Sequence, residues 1–456
     1  MLVERFLSLQ RQPAEDWKAC EQKIYPTEAP PRLAPGVIVG GNPDFQEVDA
    51  MSKYVLNHNL TKTLTISSKY DEWDIPSSVK IAVTAYGDIM VPAEVGFIKL
   101  SIDGDLLQSA ADTTGDGAVQ VLGSNNSVEV GKDAEIHAVG IAGILLAGAE
   151  NTVTNEGKVY NTNEKGYGIG AADSSTIVND GLVQGAGFGV AVTGGVMKNL
   201  SLGTIKGSTA VAVADASSGN SPGKATIIND GTISSANLAI DAHYHGNSVK
   251  VIDHGSITGD IILSNYDDVV DVRSDNKLSG EISGLEGDDI YMVSSQKTHI
   301  TELANSGTDT VKSTVSYHLG DQLENLVLLG KASLGGTGNE LDNHIAGNAG
   351  ANALDGGAGV DYLDGGKGAD TLTGGLDADR FVFRTGNGID TVTDFTKGLD
   401  YIDVDGVKGY GSFADLASHI TQHGANTWID FDQGQRLVLD HITASSLTAD
   451  DFEFKI

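Results

Sequence analysis

The chain has 456 residues, with 62 Asp or Glu against 29 Lys or Arg and a net charge of -33. Such a balance repels phosphate backbones and anionic lipid and attracts divalent cations, which excludes nucleic acid as a partner. Glycine stands at 58 residues and proline at 9, with 40% hydrophobic residues, a profile too poor in proline for collagen and too apolar for general disorder, so repeating turns are its natural explanation.

Residues 1–50 read as a tail and linker. Glu4, Arg5 and Arg11 interrupt any apolar run of signal-peptide length, no later segment is long enough to span a membrane, and Pro26, Pro30, Pro31 and Pro35 mark the linker. The single cysteine, Cys20, excludes an intramolecular disulfide. Residues 51–115 alternate in strand fashion, as in Thr61 to Ser67 and Val79 to Thr84, and suggest a β-rich cap or a first set of irregular coils.

From 116 to 283 a degenerate Asn-x-Gly-x-Val/Ile unit recurs at Asn155-Glu-Gly157, Asn179-Asp-Gly181 and Asn229-Asp-Gly231, with the variant Asp253-His-Gly255. These glycines are 24, 50 and 24 residues apart, and a weaker copy at Gly203-Thr-Ile205 divides the long gap. Each copy holds three short apolar strands that cannot bury a face alone and become stable by stacking on the next copy, which predicts a parallel β-helix ahead of a β-sandwich.

Between Gly338 and Val382 the period changes to nine. Ile345, Leu354, Leu363, Leu372 and Phe381 are evenly spaced, and two residues before each stand Asn343, Asn352, Asp361, Asp370 and Asp379. The copies Gly356-Gly357-Ala-Gly359-Val-Asp361 and Gly365-Gly366-Lys-Gly368-Ala-Asp370 fit Gly-Gly-x-Gly-x-Asp-x-Leu-x throughout; Gly374 and Gly375 open a copy in which Asp377 replaces the third glycine. Six residues form a glycine turn with inward carbonyls, and three form a strand that buries its aliphatic residue. Calcium takes six to eight oxygen ligands from carboxylates and carbonyls, and both are offered here. One nonapeptide makes half a coil, so an ion is held between turns two repeats apart. This pairs Asn343 with Asp361, Asp361 with Asp379 and Asn352 with Asp370, giving roughly three Ca2+ sites, tightest where both partners are charged. The bare alternative, glycine turns without an ion, would stack mutually repelling aspartates.

On these nonads the chain resembles the RTX, or haemolysin-type calcium-binding, repeat family. Gly284 to Tyr291 looks like an isolated first repeat, and Ser306 to Leu326 looks like the spacer before the main array. Asp379 to Phe383, Asp390 to Phe395 and Asp400 to Asp403 are similar to the closing segment of serralysin-type RTX domains. The Asn-x-Gly-x-Ile texture upstream resembles autotransporter passenger repeats. The resemblance implies an all-β chain, a parallel β-helix followed by a calcium-binding parallel β-roll. Its divisions fall at 1–50, 51–115, 116–283, 284–335, 336–385 and 386–456. It further implies a secreted, extracellular protein exported by type I secretion machinery through an uncleaved signal ending at Ala449 to Ile456.

Catalytic signals are weak. No histidine precedes a glutamate, so the His-Glu-x-x-His zinc signature is absent. Gly219-Asn-Ser221-Pro-Gly223 lies in a turn rather than a nucleophile elbow, and Asp112 to Asp116 opens like an EF-hand loop whose closing position is Gly123. His243 and His245 lack a third ligand and read as an exposed turn. A uronide lyase or epimerase on the β-helix is the rival reading, but between 116 and 283 the one arginine is Arg273 and the aromatics are scattered. The expectation is therefore an adhesin-like protein that engages an extracellular polysaccharide or a host or cell surface, with enzymatic activity left open and the lyase or epimerase as the alternative.

Overall fold

The computed structural model describes residues 45–47, 53–56, 60, 64–66, 72–83, 89–93, 95–108, 117–172, 174–214, 223–274 and 278–454. Most of the tail at 1–50, Asp112 to Asp116, Ser221 and the last two residues lie outside them. No helix among the described residues is long and apolar enough to cross a membrane. Two units divide the chain, Met1–Asn265 and Tyr266–Ile456.

The first unit is a stack of parallel strands, three to a coil, and forms a parallel β-helix. One ladder runs through Glu72–Ile75, Lys99–Ile102, Ser127–Val130, Thr152–Asn155, Thr176–Asn179, Gly195–Asn199, Ala225–Asn229 and Val249–Asp253. A second takes in Lys80–Val83, Asp105–Gln108, Glu135–Ala138, Lys158–Asn161, Leu182–Gly185 and Thr204–Lys206. A third joins Ile89–Val91, Gly117–Val121, Ala142–Leu146, Tyr167–Ala171, Phe188–Val192 and Thr209–Val213. The long strands Thr232–Asp241 and Ser256–Ile262 carry the second and third ladders together. Parallel pairing already begins at Lys53–Leu56, which Phe45–Glu47 covers in antiparallel fashion.

Strand alternation decides what fills each coil. Val153, Ile177, Met197, Ile227 and Val251 stack in one inward column, with Val159, Val183, Ile205, Ile233 and Ile257 in another, all of them buried. Each such side chain contributes roughly 1.5–3 kcal/mol by leaving water, and the column exists only when coils stack. The weaker copy at Gly203 is a full coil, because Thr204–Lys206 pairs on both sides.

In the second unit the coils shorten. Val269–Val272, Ile290–Val293, Thr310–Ser313, Asn325–Leu328, His344–Ala346, Tyr362–Asp364, Arg380–Val382 and Tyr401–Asp403 form one parallel ladder. Opposite it lie Tyr317–His318, Gly335–Thr337, Ala353–Ala358, Thr371–Leu376, Ile389–Val392 and Arg436–Leu439. Ile345, Leu363 and Phe381 from one side meet Leu354, Leu372 and Val392 from the other in a dry seam. This is a parallel β-roll. An antiparallel hairpin, Ile420–His423 with Asn426–Asp430, closes the second sheet.

Candidate metal centre

Every nonapeptide strand is preceded by an acidic or amide side chain that turns inward under the coil. Asn343, Asn352, Asp361, Asp370 and Asp379 are all at most 3% exposed. His344 pairs with Tyr362 and Tyr362 with Arg380, so the residues just before them stack in register. Hydrogen bonds follow that stacking: the Asn343 N–H donates to Asp361 Oδ1 at 2.8 Å, Asp361 to Asp379 at 3.0 Å and Asn352 to Asp370 at 2.7 Å, each over 18 residues.

One oxygen of each carboxylate is thereby used. The second oxygens of Asp361, Asp370 and Asp390 are buried without a hydrogen-bond partner. Burial pushes the Asp361 carboxyl up to about 7 and those of Asp370 and Asp379 to about 6, against partial relief from the donated N–H. Like charges nearby push the same way: Asp379, Asp342 and Asp355 act on Asp361. Buried acceptors with no donor and no neighbouring base suit a hard cation, so the chemistry of this donor set fits calcium.

The glycines make room for the approach. Gly356, Gly365 and Gly374 each face the second oxygen of their own repeat's aspartate, where a Cβ would collide. Gly357, Gly359 and Gly366 have φ values of 107°, 107° and 80°, and a Cβ on any of them would sit 2.5 Å from a carbonyl of the preceding coil. Gly368 and Gly375 share the left-handed backbone, at 143° and 107°. Asp377 takes the same conformation at 74° but is exposed and leaves the stack to Asp379.

The stack extends beyond the sequence-derived set. The Asp370 N–H donates to Asp390 Oδ1 at 3.0 Å, the Asp379 N–H to Asp400 Oδ1 at 3.0 Å, and Asp394 accepts from both Gly374 and Gly375 at 2.9 Å. Asp390-Thr-Val392 and Asp400-Tyr-Ile402 keep the Asp-x-aliphatic signal, but their steps of 20 and 21 residues break the period of nine.

Residues 337–372 and 356–392 match the family described as RTX calcium-binding nonapeptide repeat (4 copies). The chain carries RTX calcium-binding repeats. Among curated relatives, the endo-1,3-1,4-beta-glycanase ExsH of Rhizobium meliloti (strain 1021) is 41% identical over 184 residues, 40% of this chain and 37% of that protein. The endo-1,3-1,4-beta-glycanase EglC of the same organism is 38% identical over 185 residues, again 40% of this chain and 37% of its own length. The chain thus spans little more than a third of the curated relatives it matches. A solved structure, the extracellular lipase LipA from Serratia marcescens, aligns with 51% of this chain and 45% of its own at 14% identity and a TM-score of 0.20, too slight to inform fold or function.

The other sequence candidates do not converge. His243 pairs through Nδ1 with Asp241 and packs beside Tyr244, whereas His245 is buried, with Nδ1 3.1 Å from the Ala214 carbonyl. The segment is the turn expected from sequence, with Tyr244 exposed and His243 half-buried, and only His245 departs from that reading by being buried. Arg273 is held by Asp271 through bonds of 2.8 and 2.6 Å.

Proposed function

We propose that this is a secreted calcium-binding protein whose C-terminal array folds around calcium outside the cell and whose β-helix presents a surface to an extracellular polysaccharide or a cell surface. The stacked carboxylates with unpartnered buried oxygens carry the reading. Asn343 with Asp361, Asp361 with Asp379 and Asn352 with Asp370 would hold roughly three ions, with the turn glycines supplying carbonyls. Bound calcium would neutralise these carboxylates and link successive turns. Cells hold calcium low and extracellular fluid holds it high, so binding to the folded state alone would delay folding until export.

Replacing Asp361 by Asn removes charge from two adjoining pairs and should weaken calcium binding on the order of tenfold or more, against less for Asn352→Ala. Isothermal titration of the full chain measures both, and equal effects would count against the pairing.

The surface role of the β-helix is supported by an outward row on the second ladder: Leu107, His137, Tyr160, Gln184 and Lys206 lie in register. His137 and Tyr160 stack at 4.8 Å, giving a flat ring face of the kind sugars pack on. A polysaccharide-cleaving enzyme is the second reading, favoured by the two relatives named as endo-1,3-1,4-beta-glycanases. Incubation with such glycans and with uronides separates the two. Retention without new chain ends supports binding, and new reducing or unsaturated ends establish the enzyme.

A further inference from the structure

Before the matched repeats begin, three carboxylates meet in a separate place. Oxygens of Asp289, Glu302 and Asp309 lie within 4.8 Å of one another. Asp289 and Asp309 precede the paired strands Ile290–Val293 and Thr310–Ser313, while Glu302 follows His299–Thr301 on the other side of the coil. Asp289 and Asp309 are each 1% exposed.

The cluster shares the logic of the array but has its own parts. Asp289 Oδ1 accepts from the Asp268 N–H and Asp309 Oδ1 from the Asp289 N–H, both at 2.8 Å. Tyr291, fully buried, lies 3.0 Å from Asp289 Oδ2 and also contacts Glu302. Its single hydroxyl proton cannot serve both carboxylates. Asp309 Oδ2 is buried with no hydrogen-bond partner at all. The charged groups that act on the three carboxyls are Asp268, Asp288, Asp289, Asp309 and Glu324, and no base is among them.

Gathering three carboxylates away from water without a counter-charge is strongly unfavourable, and the second Asp309 oxygen has no donor. A cation answers both. The donors are oxygens only, which rules against zinc, and three protein carboxylates exceed the one or two that magnesium takes alongside its retained waters.

We propose that Asp289, Glu302 and Asp309 form a calcium site of their own, outside the nonapeptide array, with the Tyr291 hydroxyl donating to one of Asp289 and Glu302. Its occupation would make the coils that carry Ile290–Val293 and Thr310–Ser313 depend on calcium, as the array does.

The test compares calcium stoichiometry of the full chain with that of Glu302→Gln, which keeps size and hydrogen bonding but removes a charge. Loss of a single bound ion, with circular dichroism in calcium unchanged, is the expected result. An unchanged stoichiometry in a folded variant overturns the site and leaves a proton-sharing cluster. Should the variant fail to fold, anomalous difference maps from crystals of the unaltered chain grown in calcium decide the matter. A peak among the three carboxylates supports the site, and its absence overturns it. Because array ions would appear at separate positions, failure here is distinguishable from failure of the array reading.

Discussion

Asparagines line the β-helix interior as a directed chain. Asn155 Nδ2 donates to Asn179 Oδ1 at 2.7 Å, Asn179 to Asn199 and Asn199 to Asn229 at 2.8 Å, and Asn229 to Asp253 at 2.7 Å. All are buried, and the spare amide hydrogens cap carbonyls such as those of Gly157, Gly181 and Gly203. Asn199→Ala removes a link on both sides and should cost about 2–4 kcal/mol, read by urea unfolding of the full chain. A loss below half of the lower figure would mean that water replaces the amide. The array aspartates respond to pH in the opposite sense to a salt-bridged acid. Burial raises the Asp361 carboxyl from 3.8 to about 7. Without calcium, the folded turn therefore binds a proton that the unfolded chain releases first, so stability is greatest below about pH 4 and falls as pH rises toward 7. With calcium the sign reverses, because protons compete with the ion, and affinity should drop as pH falls below 7. Melting curves in chelator and in calcium across that window check both signs.

At the scale of the element, turns rather than strands limit what the sequence can vary. Gly357 has φ of 107° and a Cβ there would lie 2.5 Å from the Asn339 carbonyl, whereas Gly330, at 90°, is exposed with nothing within 4 Å. Gly357→Ala should abolish or shift the calcium-dependent melting transition, while Gly330→Ala should cost only about 1 kcal/mol of backbone strain. Similar effects from both would show that the turns do not need their close approach. The strands are tolerant by comparison. Steps along the asparagine chain vary over 24, 20, 30 and 24 residues, yet every strand keeps its register, because length changes fall between strands. Aromatics that look scattered in sequence become neighbours by the same stacking: Tyr167 lies in register with Phe188 over Ile141, Ala142 and Leu145, and His137 with Tyr160.

For the whole molecule, the two units differ in what closes their coils. In Met1–Asn265 aliphatic columns and amide chains suffice, while the roll within Tyr266–Ile456 stacks buried carboxylates that repel one another. Removing calcium should therefore speed hydrogen exchange in peptides from 337–403 far more than in 127–253, and uniform acceleration would refute this division. The sequence alone determined the all-β class, the parallel coils and the cation chemistry of the nonads. These follow from residue types repeated at a fixed short period, which sets turn and strand locally. Tertiary structure decided which residues share a hydrogen bond once the period fails. Asp390 and Asp400 join the array at steps of 20 and 21 residues, and Asn179 and Asn199 at 20. The calcium-binding nonapeptides announced themselves by spacing, while Asp289 and Asp309 keep only the local signal, two residues before buried Tyr291 and Val311, and Glu302 carries none of it. Stacking conserves spatial register and not chain length, so their meeting could be read only from the folded coils.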